Sequence, residues 1–156
     1  MVQFVHLHNH SEYSLLDGAA RIKELVAKSA DLGMPAVAVT DHGNMFGVLK
    51  LYEECKKVSK EREAQGLPGI KHIIGCEVYV APRSRFLKEG KEDKSTYHLV
   101  LLAENNKGYE NLMKIVSRGY TEGYYYKPRV DMEVLREFHE GIIALSACLA
   151  GEVPRY

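Results

Sequence analysis

Apolar residues repeat along the chain with two different periods. The helical spacing of three to four residues recurs over residues 21–32, 47–60 and 105–120, and each stretch predicts an amphipathic helix. A shorter helix is predicted over 132–137. Compact apolar runs over residues 35–40, 70–80, 97–103 and 141–146 predict strands, and an alternating run over 4–10 predicts a further strand at the start.

These elements alternate, strand then helix, which is typical of an α/β fold with ligand sites at the carboxyl ends of the strands. An eight-stranded α/β barrel usually needs about 250 residues. The 156 residues of this chain therefore predict the first part of such a barrel, incomplete at its C-terminal end. Segments 73–80 and 97–103 are expected to form an antiparallel hairpin, which returns His98 to the end of the strand that carries Glu77.

The composition narrows the function classes. Lys+Arg and Asp+Glu both number 21, so the chain does not grip nucleic acid by bulk charge. Its three cysteines form no C-x-x-C pair, which indicates a reducing compartment. No apolar run approaches 18 residues, so we expect a soluble, cytoplasmic protein that does not meet a membrane.

Histidines mark the first candidate site. His6, His8 and His10 alternate along the opening run and would share one face of a strand. Neighbouring imidazoles on one face predict a metal site, because neutral imidazole is the commonest metal ligand. The alternative is a surface strand with its polar side chains outward.

Further candidates follow or interrupt the other strands. His42 comes directly after the buried run 35–40 and is predicted to be a ligand, while its neighbour Asp41 is either a ligand or a group that orients one. Glu77 lies inside an apolar run, where a buried carboxylate needs a partner or a cation. Asp17 is a turn residue or an oxygen ligand, and Cys148, just past a strand, is a plausible thiolate ligand.

Cations and tyrosines mark a third region. Residues 124–126 are three consecutive tyrosines followed by Lys127, a combination that suits base stacking. The alternative, which we favour from the sequence, is a packed loop. Arg83 and Arg85 lie in a polar loop over 81–96.

Taken together, the motifs resemble the polymerase and histidinol phosphatase (PHP) domain family, and within it the PHP domains of bacterial replicative DNA polymerases. The segments that carry the resemblance are His8-x-His10 with Ser14 and Asp17-Gly18, Thr40-Asp41-His42-Gly43, Gly75-x-Glu77, His98, and the segments 123–129 and 144–152. The resemblance implies a distorted seven-stranded β/α barrel that holds up to three divalent metals, with zinc expected first and manganese or iron as alternatives.

The resemblance also implies roles. His8 and His10 would hold one metal, Glu77 would bridge it to a second held by His98 and Cys148, and Asp17 with His42 would hold a third. His6 and Asp41 would lie behind these ligands. An Asp-x-His pair completes the set in that family, and no Asp-x-His occurs in this sequence.

The function implied is metal-dependent phosphoester hydrolysis, as a proofreading 3′–5′ exonuclease within a DNA polymerase or as a structural descendant of one. Arg83, Arg85 and Lys127 are then candidate phosphate contacts. Expected partners are DNA and other replicase subunits, such as a proofreading exonuclease and a sliding clamp. The palm, fingers and thumb are absent from residues 1–156. Two alternatives stay open: a non-catalytic scaffold that docks a proofreading subunit, and a stand-alone phosphatase of the histidinol-phosphate type.

Overall fold

A computed structural model describes residues 4–155. Helices and strands alternate through most of the chain, which confirms the predicted α/β class. In chain order the elements are α1 (Ile22–Asp31), β1 (Ala36–Val39), α2 (Val48–Glu63), β2 (Lys71–Val80), α3 (Gly90–Lys94), β3 (Tyr97–Ala103), α4 (Asn106–Thr121), β4 (Arg129–Val130), α5 (Met132–Glu137), β5 (Ile142–Leu145) and a 3₁₀ turn (Val153–Arg155). Within residues 4–155 no helix is long and apolar enough to cross a membrane.

The chain divides into two compact units, and strand β2 contributes to both. The first unit comprises residues 1–41 and 46–74. In it β1 pairs in parallel with the first half of β2, from Ala36 opposite Lys71 to Val39 opposite Ile74. Helices α1 and α2 turn their apolar stripes towards one core, formed by Ile22, Val26, Ala30, Val37, Val39, Leu51, Cys55 and Ile70. The predicted stripe of α1 is thus the one that is buried, and Gly33 follows that helix with φ +72°, as a C-terminal glycine should.

The second unit comprises residues 42–45 and 75–156. The second half of β2 pairs with β3 in an antiparallel hairpin, from Gly75 opposite Leu102 to Val80 opposite Tyr97, as predicted. On its other side β2 pairs in parallel with the two-residue strand β4, and β3 pairs in antiparallel fashion with β5. Helix α4 begins at an Asn105 cap, whose side chain accepts a hydrogen bond from Gly108 N at 3.0 Å.

The opening run is not a strand, contrary to the prediction. Residues 4–10 carry no regular secondary structure. Asn9 attaches this segment to Thr40: its backbone N–H donates to Thr40 Oγ1 at 3.0 Å, and its carbonyl accepts from Thr40 N at 2.8 Å. The alternating pattern predicted the wrong element because the segment is held at Asn9 by hydrogen bonds to Thr40 and Ala38 rather than by the regular ladder of a strand.

Candidate metal centre

Glu77 is the centre of the second unit's polar cluster. It lies in β2 opposite Val100 of β3, and its side chain is 1% exposed. Its Oε1 lies 2.9 Å from His42 Nδ1 and 2.7 Å from His98 Nδ1. The two imidazoles are thus the polar partners that a carboxylate inside an apolar run requires.

His42 reaches Glu77 through a backbone contact that depends on glycine. His42 forms an isolated parallel bridge with Glu77, and Gly43 N donates to the Glu77 carbonyl at 2.8 Å. Gly43 has φ +63°, and a Cβ there would lie 2.9 Å from Pro128 Cγ and 3.1 Å from Tyr79 Cε2. Only glycine combines that backbone conformation with so close an approach, which explains the Asp-His-Gly turn.

His98 and Cys148 are brought together by β3 and by the segment after β5. His98 N donates to the Ala150 carbonyl at 3.0 Å, so the 146–151 loop is fixed against the start of β3. Cys148 Sγ lies 3.5 Å from His98 Nδ1 and accepts a hydrogen bond from Ala150 N at 3.4 Å. The hairpin prediction placed His98 correctly, and Cys148 does lie just beyond a strand end.

The electrostatics of the cluster keep Glu77 ionised. Burial alone would raise the pKa of this carboxyl, but hydrogen bonding to His42 and His98 lowers it further than burial raises it, so the net pKa lies below the ordinary 4.5. A deprotonated carboxylate is the form that binds a cation.

The donor set fits a divalent metal. One ligand atom each from Glu77, His98 and Cys148, an oxygen, a nitrogen and a sulfur, all lie within 4.8 Å of one another. Ligand atoms around a tetrahedral zinc, with bonds of about 2.0–2.3 Å, stand roughly 3.3–3.8 Å apart. Imidazole and thiolate favour zinc, while the carboxylate also admits manganese or iron.

The first unit holds the remaining predicted ligands. The imidazoles of His8 and His10 are half-buried, with ring centroids 4.9 Å apart. Asn9, between them, donates from its side chain to the Ala38 carbonyl at 3.1 Å, which ties the pair to the end of β1. His6 is exposed, with its ring 4.7 Å from that of Phe4.

Asp41 organises the loop that follows His10. Its carboxylate is 1% exposed and accepts hydrogen bonds from Ser11 N at 2.6 Å, Ser11 Oγ at 2.7 Å and Ser14 Oγ at 2.7 Å. Asp17 lies in the same loop, is exposed, and its N–H donates to the Ser14 carbonyl at 3.1 Å. Asp41 therefore positions the backbone between His10 and Asp17, a task that differs from the two predicted for it, metal ligand or group that orients a ligand.

Of the three candidate phosphate contacts, Arg85 is the most deeply buried. Its side chain is 3% exposed and forms ion pairs with Asp131 at 3.0 Å, Glu122 at 2.7 Å and Glu133 at 3.1 Å. Because three carboxylates already surround the guanidinium, it is an internal cation. Arg83 is 39% exposed and pairs with Asp93 at 2.8 Å, whereas Lys127 extends its ammonium 4.2 Å above the ring of Tyr79.

Two residues of this region were missed from the sequence. Tyr79 stacks on His42 with centroids 6.2 Å apart and meets His98 edge-on at 5.3 Å, so it lies against both imidazoles of the cluster. Arg129 is fully buried and donates hydrogen bonds to backbone carbonyls, including those of Gly123 and Asp93. The position of Tyr79, two residues after Glu77 on the same face of β2, was the available signal for the first. The sequence gives no comparable signal for Arg129.

Comparisons with known proteins identify the family of the chain. The PHP domain family model matches residues 6–156. The chain is 49% identical over 154 residues to DNA polymerase III subunit alpha of Borreliella burgdorferi and 52% identical over 154 residues to that of Treponema pallidum, in each case over 98% of this chain. It spans 13% and 12%, respectively, of the lengths of these two relatives.

Two solved structures are also similar. One is a putative metal-dependent phosphoesterase from Bifidobacterium adolescentis, with a TM-score of 0.46 and 21% identity over 76% of this chain and 34% of that one. The other is an amidohydrolase from Chromobacterium violaceum, with a TM-score of 0.45 and 23% identity over 72% of this chain and 32% of that one. The family model covers nearly all of the chain, and on that match this protein belongs to the PHP domain family.

Proposed function

We propose that this chain is the PHP domain of a bacterial replicative DNA polymerase, and that it is a metal-dependent phosphodiesterase acting as a 3′–5′ exonuclease. The observation that carries the proposal is the convergence of Glu77, His98 and Cys148 on one point, with His42 on the same carboxylate oxygen.

The residues have distinct chemical tasks in this proposal. Glu77, His98 and Cys148 hold one divalent metal, and His8 and His10 are proposed to hold another. Asp17 and His42 remain predicted ligands, each within its own unit. When bound, such metals lower the pKa of a water molecule and neutralise charge on a phosphate. His42 and His98, both in contact with Glu77, fix the carboxylate that binds the cation.

The relatives support the wider setting. Both named relatives are DNA polymerase III alpha subunits. We propose on that basis that the parent protein is a DNA-directed DNA polymerase, a nucleotidyltransferase that meets DNA in the cytoplasm. A proofreading exonuclease subunit and a sliding clamp are the replicase partners that we expect for it.

Metal binding is the first test. The purified chain, dialysed against zinc or manganese and then against buffer, is expected to retain at least one equivalent of metal by mass spectrometry of the elements. Glu77→Gln keeps the shape of the side chain but removes its charge, and should lose that metal. His139→Gln is the matched control, because His139 is exposed and its Nδ1 contacts the Arg136 carbonyl at 2.7 Å, away from the cluster.

Hydrolysis is the second test. A single-stranded DNA labelled at its 3′ end should release labelled mononucleotide when metal is present, and Glu77→Gln purified in parallel should release none. Equal release by the unmodified chain and by Glu77→Gln would mean a contaminating nuclease and would refute the proposal. A parent that holds metal in full but releases nothing would instead favour the non-catalytic scaffold.

A further inference from the structure

We propose that Lys94, Tyr126 and Lys127 form a binding surface for single-stranded nucleic acid beside the metal centre, called here the tyrosine–lysine ledge. Tyr126 would stack on a base, while the two lysines would contact phosphates. The inference deepens the proposed function, on which it rests for the nature of the substrate. Nothing in the metal ligands themselves requires such a surface.

Exposure is the first observation. Tyr126 is 63% exposed, although tyrosine rings usually bury most of their area. Lys94 Nζ lies 4.4 Å from the centroid of the Tyr126 ring. An exposed aromatic ring beside an ammonium group offers both interactions that single strands use, base stacking and attraction of phosphate.

The backbone presents Tyr126 in an uncommon way. Its φ is 60°, a left-handed conformation that residues other than glycine and asparagine seldom adopt. The turn is closed by Tyr125 N, which donates to the Lys127 carbonyl at 3.0 Å, and the two neighbouring tyrosine rings meet edge to face at 4.7 Å. Strained backbone persists where the surroundings hold it, and it concentrates at binding sites.

A rigid base lies under this turn. The Arg129 guanidinium stands 5.2 Å from the Tyr125 ring centroid and is fixed by hydrogen bonds to backbone carbonyls, including that of Gly123 at 3.0 Å. The turn that carries Tyr126 is therefore held in place by a buried group. Preorganisation of this kind reduces the entropic cost of binding.

The ledge is continuous with the metal centre. Lys127 Nζ lies 4.2 Å from the Tyr79 ring centroid, and Tyr79 in turn contacts His42 and His98. If the terminal phosphodiester of a single-stranded DNA reached Glu77, Lys127 would lie beside that phosphodiester, and Tyr126 would lie beside the next nucleotide. This order suits a substrate that enters by one end.

Local charge supports the same choice of ligand. Arg83 and Arg85 are paired with Asp93, Asp131, Glu122 and Glu133, so these arginines add little positive field at the surface. Lys94 and Lys127 are exposed and have aromatic partners instead. The neutral total charge of the chain is thus compatible with a locally cationic ledge.

Binding is measured by fluorescence anisotropy with a labelled oligothymidylate in EDTA, so that the strand stays intact. Tyr126→Asn removes the ring and keeps a residue that tolerates φ near +60°. We expect it to weaken binding by about tenfold, the order found for one lost stacking contact. Tyr126→Phe, which keeps the ring, should bind as the parent does. Lys127→Gln and Lys94→Gln should each reduce the slope of log affinity against log salt by about 0.7.

The chain offers a matched control on helix α2. Tyr52 is 41% exposed, and Lys56 Nζ lies 5.8 Å over its ring, so it is a tyrosine–lysine pair outside the ledge. Tyr52→Ala and Lys56→Gln should leave strand binding unchanged within twofold. Equal losses at Tyr52 and Tyr126 would indicate non-specific binding and overturn the ledge.

The outcomes separate the ledge from the proposed function. Strand binding that depends on Tyr126 in a chain that hydrolyses nothing would support the ledge and remove the exonuclease. Hydrolysis that depends on Glu77, with Tyr126→Asn and Lys94→Gln binding as the parent, would keep the exonuclease and overturn the ledge. Lys94 is an exposed helix residue, so its substitution tests the proposal even if Tyr126→Asn fails to fold.

Discussion

Arg129→Met should be among the most destabilising substitutions in the second unit. The guanidinium is 0% exposed and donates four hydrogen bonds to main-chain carbonyls. The acceptors are the carbonyl oxygens of Asp93 at 2.6 Å, Leu87 at 2.8 Å, Arg85 at 3.0 Å and Gly123 at 3.0 Å. At about 1.5–3 kcal/mol for each bond to a charged group, the four amount to roughly 6–12 kcal/mol before any compensation.

Compensation reduces that figure. Methionine removes the desolvation cost of a buried cation, so the net loss is expected at about 3–5 kcal/mol, the range for breaking a buried ionic arrangement from one side. A domain is usually stable by about 5–15 kcal/mol, so the loss would take a large share of the total. Arg129→Lys should recover little, because one ammonium cannot reach four fixed acceptors.

The assay is urea unfolding followed by circular dichroism. With a slope of about 1–3 kcal/mol per molar urea, the midpoint of Arg129→Met should fall by roughly 2 M. Arg136→Met is the control, since Arg136 is exposed in the last turn of α5 and its replacement should cost less than about 0.5 kcal/mol. A loss below about 1 kcal/mol at Arg129, or an equal loss at both arginines, would refute the reasoning.

Three further outcomes are expected. Gly43→Ala should lower both metal content and stability, because its φ is +63° and the new Cβ would meet a tyrosine ring and a proline. Gly33→Ala is the control: its φ is +72° and no atom lies within 4 Å of its Cβ, so it should lose only the stability of about 1–2 kcal/mol that the left-handed backbone costs. Equal losses of stability in the two variants would contradict steric crowding at Gly43. Ellman's reagent at pH 8 should label Cys148, which is exposed, but not Cys55, whose pKa is raised by burial to about 12. Zinc should slow the labelling of Cys148, and a rate that zinc does not change would argue against Cys148 as a ligand. The pKa of Glu77 is raised by burial but lowered more by its two imidazoles, so the carboxylate stabilises the fold above pH 4.5 and this stabilisation is lost as the pH falls below that value. In urea unfolding, the difference in stability between the unmodified chain and Glu77→Gln should therefore be smaller at pH 3.5 than at pH 7. A difference that does not change with pH would contradict this pairing.

The sequence predicted the candidate centre better than it predicted the surrounding loops. Glu77 was recognisable because a carboxylate in an apolar run needs a partner. The hairpin that returns His98 to it followed from the position of His98 at the start of its strand, and Cys148 followed from its place after another. In each case one local pattern and one pairing rule were enough.

The loops were harder because their order comes from contacts between remote segments. Strand β4 has two residues, too few for any periodicity, and one of them is Arg129, which as a charged residue suggests a surface position. Its burial depends on carbonyls up to 44 residues away in the chain. Arg85 was predicted to face phosphate for the same reason, since nothing near it in sequence reveals Asp131, 46 residues later.

The arginines near the candidate centre are buried and the lysines are exposed, and the chemistry of the two side chains explains the difference. A guanidinium is planar, presents five donors in fixed directions and is weakly hydrated, so Arg85 and Arg129 can be buried where several acceptors meet them. An ammonium is compact and strongly hydrated on a flexible stem, so Lys94 and Lys127 remain exposed and rest on aromatic rings. The buried arginines hold the loops in one arrangement, and that arrangement fixes where the exposed lysines can reach. Arg85 and Arg129, which a ligand beside Glu77 would not touch, therefore influence where the lysines place their positive charge.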